Sequence, residues 1–363
     1  MLKVDVVTNI PTPNNAAFFG KLSRLVDLRV HFEAPVRALR SWVGTSGFLE
    51  GYESVTHGGT RVGRWGFWTP RLGRSLRRDA DVLLLTGSYT SPTVAMQLLR
   101  PPKGPARLFW GERFMTTRVV NTFIRSRLLS RADALFAVGE HAAAQYRDVA
   151  ATPVHVLPYT TVANQVVPEG TPDRLGFVGQ LIERKGLDLL FEVCSTLELP
   201  AIDVVGSGSL ESRLRRDAAA RGLDVTWHGE RPNSAIDDIR SRWVCQVVPS
   251  RYDGWGVVVN EALASGTPVV VSSTTGAVEL VRDGVNGWTH LGRDVGDLAS
   301  SLRRARGRWL DPDIRRAAAV TGDAFSAAAA AEFLVEVIAR PGVERSFINE
   351  QWQAAEECLR TGA

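Results

Sequence analysis

In this 363-residue sequence the residues best suited to chemistry lie in one stretch, Ser250-Arg251-Tyr252-Asp253-Gly254-Trp255-Gly256-Val257, followed by Glu261 and by Gly266-Thr267-Pro268. An apolar run ends at Pro249-Ser250, a glycine-bearing loop follows, and the loop opens a helix that Gly266 stops. Gly254 and Gly256 let backbone N–H groups approach a ligand closely. With the amides of Trp255 and Val257 at a helix N-terminus, they suit a phosphate or diphosphate. Glu261 falls in the second helical turn, where its carboxylate could accept two hydrogen bonds from a sugar diol. Asp253 sits in the loop itself, close to whatever the phosphates carry. Taken alone, the pattern also suits an ordinary strand–loop–helix with two solvated carboxylates.

Metal chemistry has weaker signals. Asp79-Ala80-Asp81 and Asp311-Pro312-Asp313 have the Asp-x-Asp form, but the first opens a strand and the second lies between late helices. Cys194, Cys245 and Cys358 lie far apart, with no CxxC pair and no His at ligand spacing. They read as incidental thiols of a reducing compartment.

The elements that must hold these residues repeat one pattern twice. Strand-like runs fall at Val4–Thr8, Asp27–Phe32, Asp81–Thr86, Arg107–Gly111, Asp133–Val138 and Val154–Leu157. A second set falls at Leu175–Gly179, Ala201–Val205, Asp224–Gly229, Trp243–Val248 and Pro268–Ser272. Helical patterns such as Pro92–Leu99, Arg118–Leu129, Leu187–Leu197 and Ser209–Arg221 separate them. Such alternation reads as parallel βαβ units in two doubly wound α/β domains. Pro158–Asp173, punctuated by Pro158, Pro168, Gly170 and Pro172, is the expected boundary. The length agrees, since one core stops growing near ~250–300 residues.

Hydrophobic residues make up 44% and charged residues 23%, which excludes disorder and a disulfide scaffold. The net charge of +4 hides an asymmetry. Residues 1–165 carry 21 basic and 11 acidic residues, net +10; residues 166–363 carry 22 and 28, net −6. The basic half suggests an acidic partner or a membrane surface. Met1–Thr8 is interrupted by Asp5 and is too short for a signal segment, and no stretch reaches ~18 apolar residues. The expected location is cytoplasmic, either free or peripheral at the inner face of the membrane.

The Ser250–Val270 segment resembles the signature of family-four retaining glycosyltransferases of the GT-B fold (glycosyl transferases group 1). That signature is a Glu, a Gly-rich loop, a second Glu eight residues on, then Ala-x-Ala-x-Gly-x-Pro-Val-Val. Asp253 and Glu261 keep the spacing, and Glu261 to Val270 match almost throughout; Asp253 is one methylene shorter than the family's Glu. Gly176 to Asp188 is similar to the family's Gly-Arg-Leu…Lys-Gly element, with Gln180 at the Arg position. The resemblance implies that Lys185, the only lysine after residue 103, holds the donor diphosphate. A fixed cation there would stabilise the charge that grows on the leaving group. Gln180 and Arg184 stand beside it. Gly206 and Gly208 resemble the family's turn after a strand, and Glu230 and Arg231 its strand end near the nucleotide base. His228 reads as a packed histidine more than as a base. Gly276 to Trp288 matches a further stretch that reads as structural.

In the first half, Thr8 to Asn15 is similar to a subgroup with Pro-Thr-Pro after the first strand, offering Asn14 and Asn15 to an acceptor. Glu112 occupies the place where many members have a His near the donor sugar. A connecting loop and a surface glutamate are the plainer readings of these positions. His31–Pro70 is loop-like; Trp42, Trp65 and Trp68 could present aromatic faces to a sugar acceptor or a lipid headgroup, and packing beneath the loop is the plainer reading. Arg71, Arg74 and Arg78 have helical spacing and could face anionic lipid or a pyrophosphate-bearing acceptor, or simply solvent.

The resemblance implies two Rossmann-like doubly wound domains facing across a cleft. Residues 1–165 would form the acceptor side and 166–345 the nucleotide-sugar domain, with 346–363 as a C-terminal helix returning to the first. The implied activity is a metal-independent hexosyltransferase that retains anomeric configuration. A nucleoside-diphosphate sugar is the donor substrate, no cofactor is needed, and the acceptor is a hydroxyl of a glycan, a lipid-linked or a small molecule. A GT-B sugar-nucleotide epimerase and a catalytically inactive sugar-nucleotide-binding module remain alternatives. Nucleic acid is not an expected partner, for no motif supports it.

Overall fold

The computed structural model describes residues 1–35, 51–63, 66–100, 104–114, 119–161, 166, 171–197, 199–340 and 342–361. The chain divides into two α/β units. Unit 1 comprises Met1–Thr160 and Ala327–Glu350, and unit 2 comprises Thr161–Ser326 and Gln351–Ala363. The division falls at Thr160/Thr161, inside the expected boundary segment. The return to the first unit comes earlier than the sequence suggests. It begins at Ala327, where helix Ala327–Ala339 lies against helix Pro13–Leu22, and residues 351–363 belong to unit 2.

The strands of unit 1 are β1 (Lys3–Thr8), β2 (Asp27–Phe32), β3 (Glu53–Thr56), β4 (Thr60–Val62), β5 (Gly66–Trp68), β6 (Val82–Thr86), β7 (Ala106–Gly111), β8 (Ala134–Ala137) and β9 (Val154–Val156). Seven of them form a parallel sheet in the order β3-β2-β1-β6-β7-β8-β9. β6 and β8 are buried along their whole length, as central parallel strands covered on both faces must be. Asp5 interrupts the apolar run of β1 yet is fully buried. Arg77 makes this tolerable: its backbone N–H and Nε donate to the Asp5 carboxylate at 2.7 and 2.6 Å, and Nη1 reaches Asp27 at 2.7 Å.

The single helix expected over Arg71–Arg78 is not formed, although its three spaced arginines keep their exposure. The helix spans only Leu72–Ser75 and Leu76 is extended, so Arg77 turns inward while Arg71, Arg74 and Arg78 stay exposed. The stretch read as loop also contains β3 and the antiparallel pair β4–β5. Most of their residues are exposed or half-buried, so no hydrophobic alternation marks them. Trp68 is exposed instead of packed; Trp42 and Trp65 lie outside the described residues.

Unit 2 holds β10 (Arg174–Val178), β11 (Ala201–Val205), β12 (Val225–Gly229), β13 (Trp243–Val248), β14 (Val269–Ser272) and β15 (Gly287–His290). They form a parallel sheet in the order β12-β11-β10-β13-β14-β15. The chain first builds outward from β10 through β11 to β12, then crosses to the other side of β10 with β13. Its switch point therefore lies between β10 and β13, where the loops leaving the two strands diverge and open a crevice. Leu175, Phe177, Leu190, Val204, Val247 and Trp288 are among the side chains of the core that holds this sheet under its helices.

Candidate functional site

The residues singled out from the second half follow the C-terminal ends of successive strands in unit 2. Gln180, Arg184 and Lys185 follow β10; Gly206 and Gly208 follow β11; Glu230 and Arg231 follow β12; Asp253 to Val257 follow β13. The loops after β10 and β13 flank the switch point, and the structure joins them there. Arg184 Nη1 donates to Asp253 Oδ1 at 3.0 Å and to the Tyr252 carbonyl at 2.9 Å. Lys185 Nζ donates to Asp253 Oδ2. Asp253 is 8% exposed, so its charge is matched by two cations in a largely desolvated place.

Backbone geometry fixes this arrangement. A 3-10 turn, Glu183–Lys185, is closed by Gly186 at φ +69° before helix Leu187–Cys194 begins. A Cβ on Gly186 would lie 2.1 Å from the Pro249 carbonyl oxygen. A second brace was not foreseen from sequence. Arg251 donates from Nη1 and Nη2 to the two Asp188 oxygens at 2.7 Å each, and to the Glu183 carbonyl at 2.9 Å. Burial opposes the Asp188 charge, but the Arg251 guanidinium prevails and holds the carboxyl below its ordinary value. The loop after β14 supplies a third wall: Asp253 N–H donates to the Thr274 carbonyl, and Gly276 N–H to the Asp253 carbonyl. A Cβ on Gly256, at φ +92°, would lie 2.5 Å from Thr275 Cγ2.

Glu261 sits in helix Val258–Ala264 beside a different set of groups. Asn233 Nδ2 donates to its Oε1 at 3.2 Å, and Arg240 Nη2 lies 3.9 Å from Oε2. Burial raises the Glu261 carboxyl above its ordinary value, with Arg240 opposing. Arg240 is itself buried and bonded to Asp237.

Other expected donor residues have structural duties. Gly206 and Gly208 allow the turn after β11 to rest on the loop after β10. Added Cβ atoms would meet Gly179 O at 2.0 Å and Leu181 O at 2.4 Å. Ser207 Oγ donates to Glu230, which is exposed like Arg231 and Gln180. Trp255 does not present its ring to a ligand: it is 2% exposed and its indole N–H is spent on Asn260 Oδ1 at 2.9 Å. It anchors the loop, leaving its backbone to any ligand. His228 Nε2 lies 2.9 Å from Asp203, a fully buried carboxylate also held by Arg174 and Trp243. It is a packed histidine.

In unit 1, Asn14 and Asn15 follow β1 and Glu112 follows β7. Thr12 caps helix Pro13–Leu22 by accepting from the Asn15 N–H, and Asn15 Nδ2 is 3.5 Å from Thr8 Oγ1. Asn14 Oδ1 is buried without a hydrogen-bond partner. The Glu112 carbonyl accepts from the Tyr146 hydroxyl at 3.0 Å, and its side chain bonds Tyr159. Of the Asp-x-Asp triplets, Asp79 pairs with Lys3 and Asp311 caps helix Pro312–Ala324. Among the described residues no group of three or more His, Cys, Asp or Glu is placed to hold a metal ion.

Comparison with known proteins places this geometry. The structure superposes on sucrose-phosphate synthase from Thermosynechococcus elongatus with a TM-score of 0.73 and 15% identity, covering 94% of this chain and 99% of the other. It matches Anabaena Alr3699/HepE in complex with UDP equally well, at 0.73 and 15%, covering 93% and 100%. The fold is GT-B. Residues 160–306, the sheet of unit 2 in this GT-B chain, match the family model of glycosyl transferases group 1. Over 161 residues the chain is 34% identical to a D-inositol 3-phosphate glycosyltransferase of Geodermatophilus obscurus, covering 39% of this chain and 35% of that protein. Over 148 residues it is 31% identical to a glycogen synthase of Alkalilimnicola ehrlichii, covering 38% and 31%. The chain thus spans about a third of the length of the curated relatives it matches. Among the described residues no helix is long and apolar enough to cross a membrane.

Proposed function

We propose that this chain is a glycosyltransferase that moves a hexose-type sugar from a nucleoside-diphosphate donor to an acceptor hydroxyl with retention of configuration. The observation that carries the reading is the meeting of Lys185, Arg184 and Asp253 at the switch point of unit 2, inside the segment that matches glycosyl transferases group 1. Anions bind where such loops diverge, and one neighbour of this fold was solved with UDP.

In this reading Lys185 and Arg184 face the diphosphate. They stabilise the negative charge that accumulates as the glycosidic bond breaks, the role a divalent ion plays in other transferases. Arg184 supplies the charge that Gln180 lacks. Glu261, with Asn233 beside it, receives the ribose hydroxyls, and Asp253 positions the donor sugar. The leaving phosphate takes the acceptor proton on the same face, so no separate base is required. Asn14, Asn15 and Glu112 are proposed for the acceptor, a glycan, a lipid-linked or a small molecule. Exposed Arg71, Arg74 and Arg78 are proposed to meet an anionic acceptor or membrane at the cytoplasmic face.

A thermal-shift screen with UDP-, GDP- and dTDP-sugars tests the donor, since a ligand at a hundredfold its Kd stabilises by about 2.7 kcal/mol. Transfer should continue in EDTA and disappear in Asp253→Ala and Glu261→Ala. If both variants transfer sugar at the wild-type rate, the assignment is wrong.

A further inference from the structure

Asp253 satisfies both oxygens with cations of its own chain: Arg184 Nη1 on Oδ1 and Lys185 Nζ on Oδ2. The nearest other cation on these loops, Arg251, is tied to Asp188 by two 2.7 Å bonds and adds little net charge. Lys185, Arg184 and Asp253 therefore sum to +1, half of what the two cations would offer alone. The backbone of Asp253 is fixed on both sides by Thr274 and Gly276, so a change of partner requires only rotation of its side chain. A carboxylate accepts but never donates. A buried one must have donors, and here the two cations supply one to each oxygen.

Resting on the reading of unit 2 as a nucleotide-sugar site, we infer that Asp253 is a built-in competitor for the diphosphate. When an intact donor binds, sugar hydroxyls satisfy Asp253 and free Lys185 and Arg184 for the phosphates. Once the sugar has left, Asp253 loses those hydroxyls, returns to the cations and weakens the hold on the remaining nucleoside diphosphate. The same carboxylate that positions the sugar thus helps to expel the product.

Calorimetric titration of UDP, GDP and dTDP into wild type, Asp253→Asn, Lys185→Gln and the double variant tests this. The nucleotide that binds wild type should bind Asp253→Asn about tenfold more tightly, the scale of one partly buried charge contact. In the Lys185→Gln background the same substitution should gain no more than about twofold, because the contested cation is gone. Equal or weaker binding by Asp253→Asn overturns the inference and leaves the nucleotide site standing. Absence of binding by wild type to all three overturns both. A measurement on wild type alone guards against a misfolded variant: the intact nucleotide sugar should bind several-fold more tightly than its nucleoside diphosphate, and equal affinities overturn the competition.

Discussion

Two buried or half-buried ionisable groups show how environment, more than residue type, sets behaviour. Lys185 is held against Asp253 at the switch point, so Lys185→Gln should lower transfer by about 10²–10³-fold, as loss of a transition-state charge contact does. Initial rates at saturating donor measure it, and a loss below about threefold would remove Lys185 from the diphosphate. Glu33 lies just past β2 and is fully buried. Its Oε1 accepts from Ser91 Oγ at 2.9 Å and its Oε2 has no hydrogen-bond partner. Burial pushes its carboxyl from 4.5 to about 7, with the Thr93 and Ser91 hydroxyls partly opposing. The folded chain keeps this proton where the unfolded chain has lost it, so the stability is complete below about pH 4.5 and lost as pH rises through about 7. Wild type should lose about 2–3 kcal/mol between pH 5 and pH 8 that Glu33→Gln does not. Urea unfolding at both pH values tests it; parallel pH profiles would rule it out. Sequence could place Asp253 from its glycine-bearing loop and Lys185 from the resemblance of Gly176–Asp188 to a family element. It could not flag Glu33, whose burial depends on Ser91, 58 residues later in the chain.

At the scale of the element, the site is made by turns. Gly186 closes the Glu183–Lys185 turn at a left-handed φ against the Pro249 carbonyl. Gly186→Ala should cost about 2–4 kcal/mol, combining the left-handed penalty with a displaced backbone. The urea midpoint reads the loss, and reduced nucleotide binding should accompany it because Lys185 moves with the turn. An unchanged midpoint would mean that the two loops are not in contact. The strands around these turns were legible because those buried on both faces read as nearly unbroken apolar runs, as in Trp243–Val248, where only Gln246 is polar. β3, β4 and β5 were not, since edge strands and a small hairpin expose most of their residues, and neither was β15, whose four residues, Gly-Trp-Thr-His, make no apolar run. The short helix Leu72–Ser75 was over-read for the opposite reason: arginines at helical spacing looked periodic, but Arg77 is drawn off by Asp5 and Asp27.

At the scale of the whole molecule, unit 1 depends on a segment that follows unit 2 in sequence. Helix Ala327–Ala339 packs on Pro13–Leu22, whose Phe18, Phe19 and Leu22 are buried. A chain ending at Ser326 should therefore lose the cooperative unfolding of unit 1, seen by calorimetry as a missing transition; an intact one would show that residues 327–350 are dispensable. The net charge of +4 conceals halves of +10 and −6, yet the cations at the candidate site belong to the acidic half. Sequence by itself determined the two α/β units and most of the strands of their cores, and nominated the residues of the candidate site, because hydrophobic period and loop spacing are local properties. Only the tertiary structure decided that Arg184 turns toward Asp253, that Trp255 is an anchor, that Arg77 is a clamp and that 327–350 returns to unit 1. Each of those depends on where a distant carboxylate, carbonyl or apolar face lies, and no local pattern encodes that.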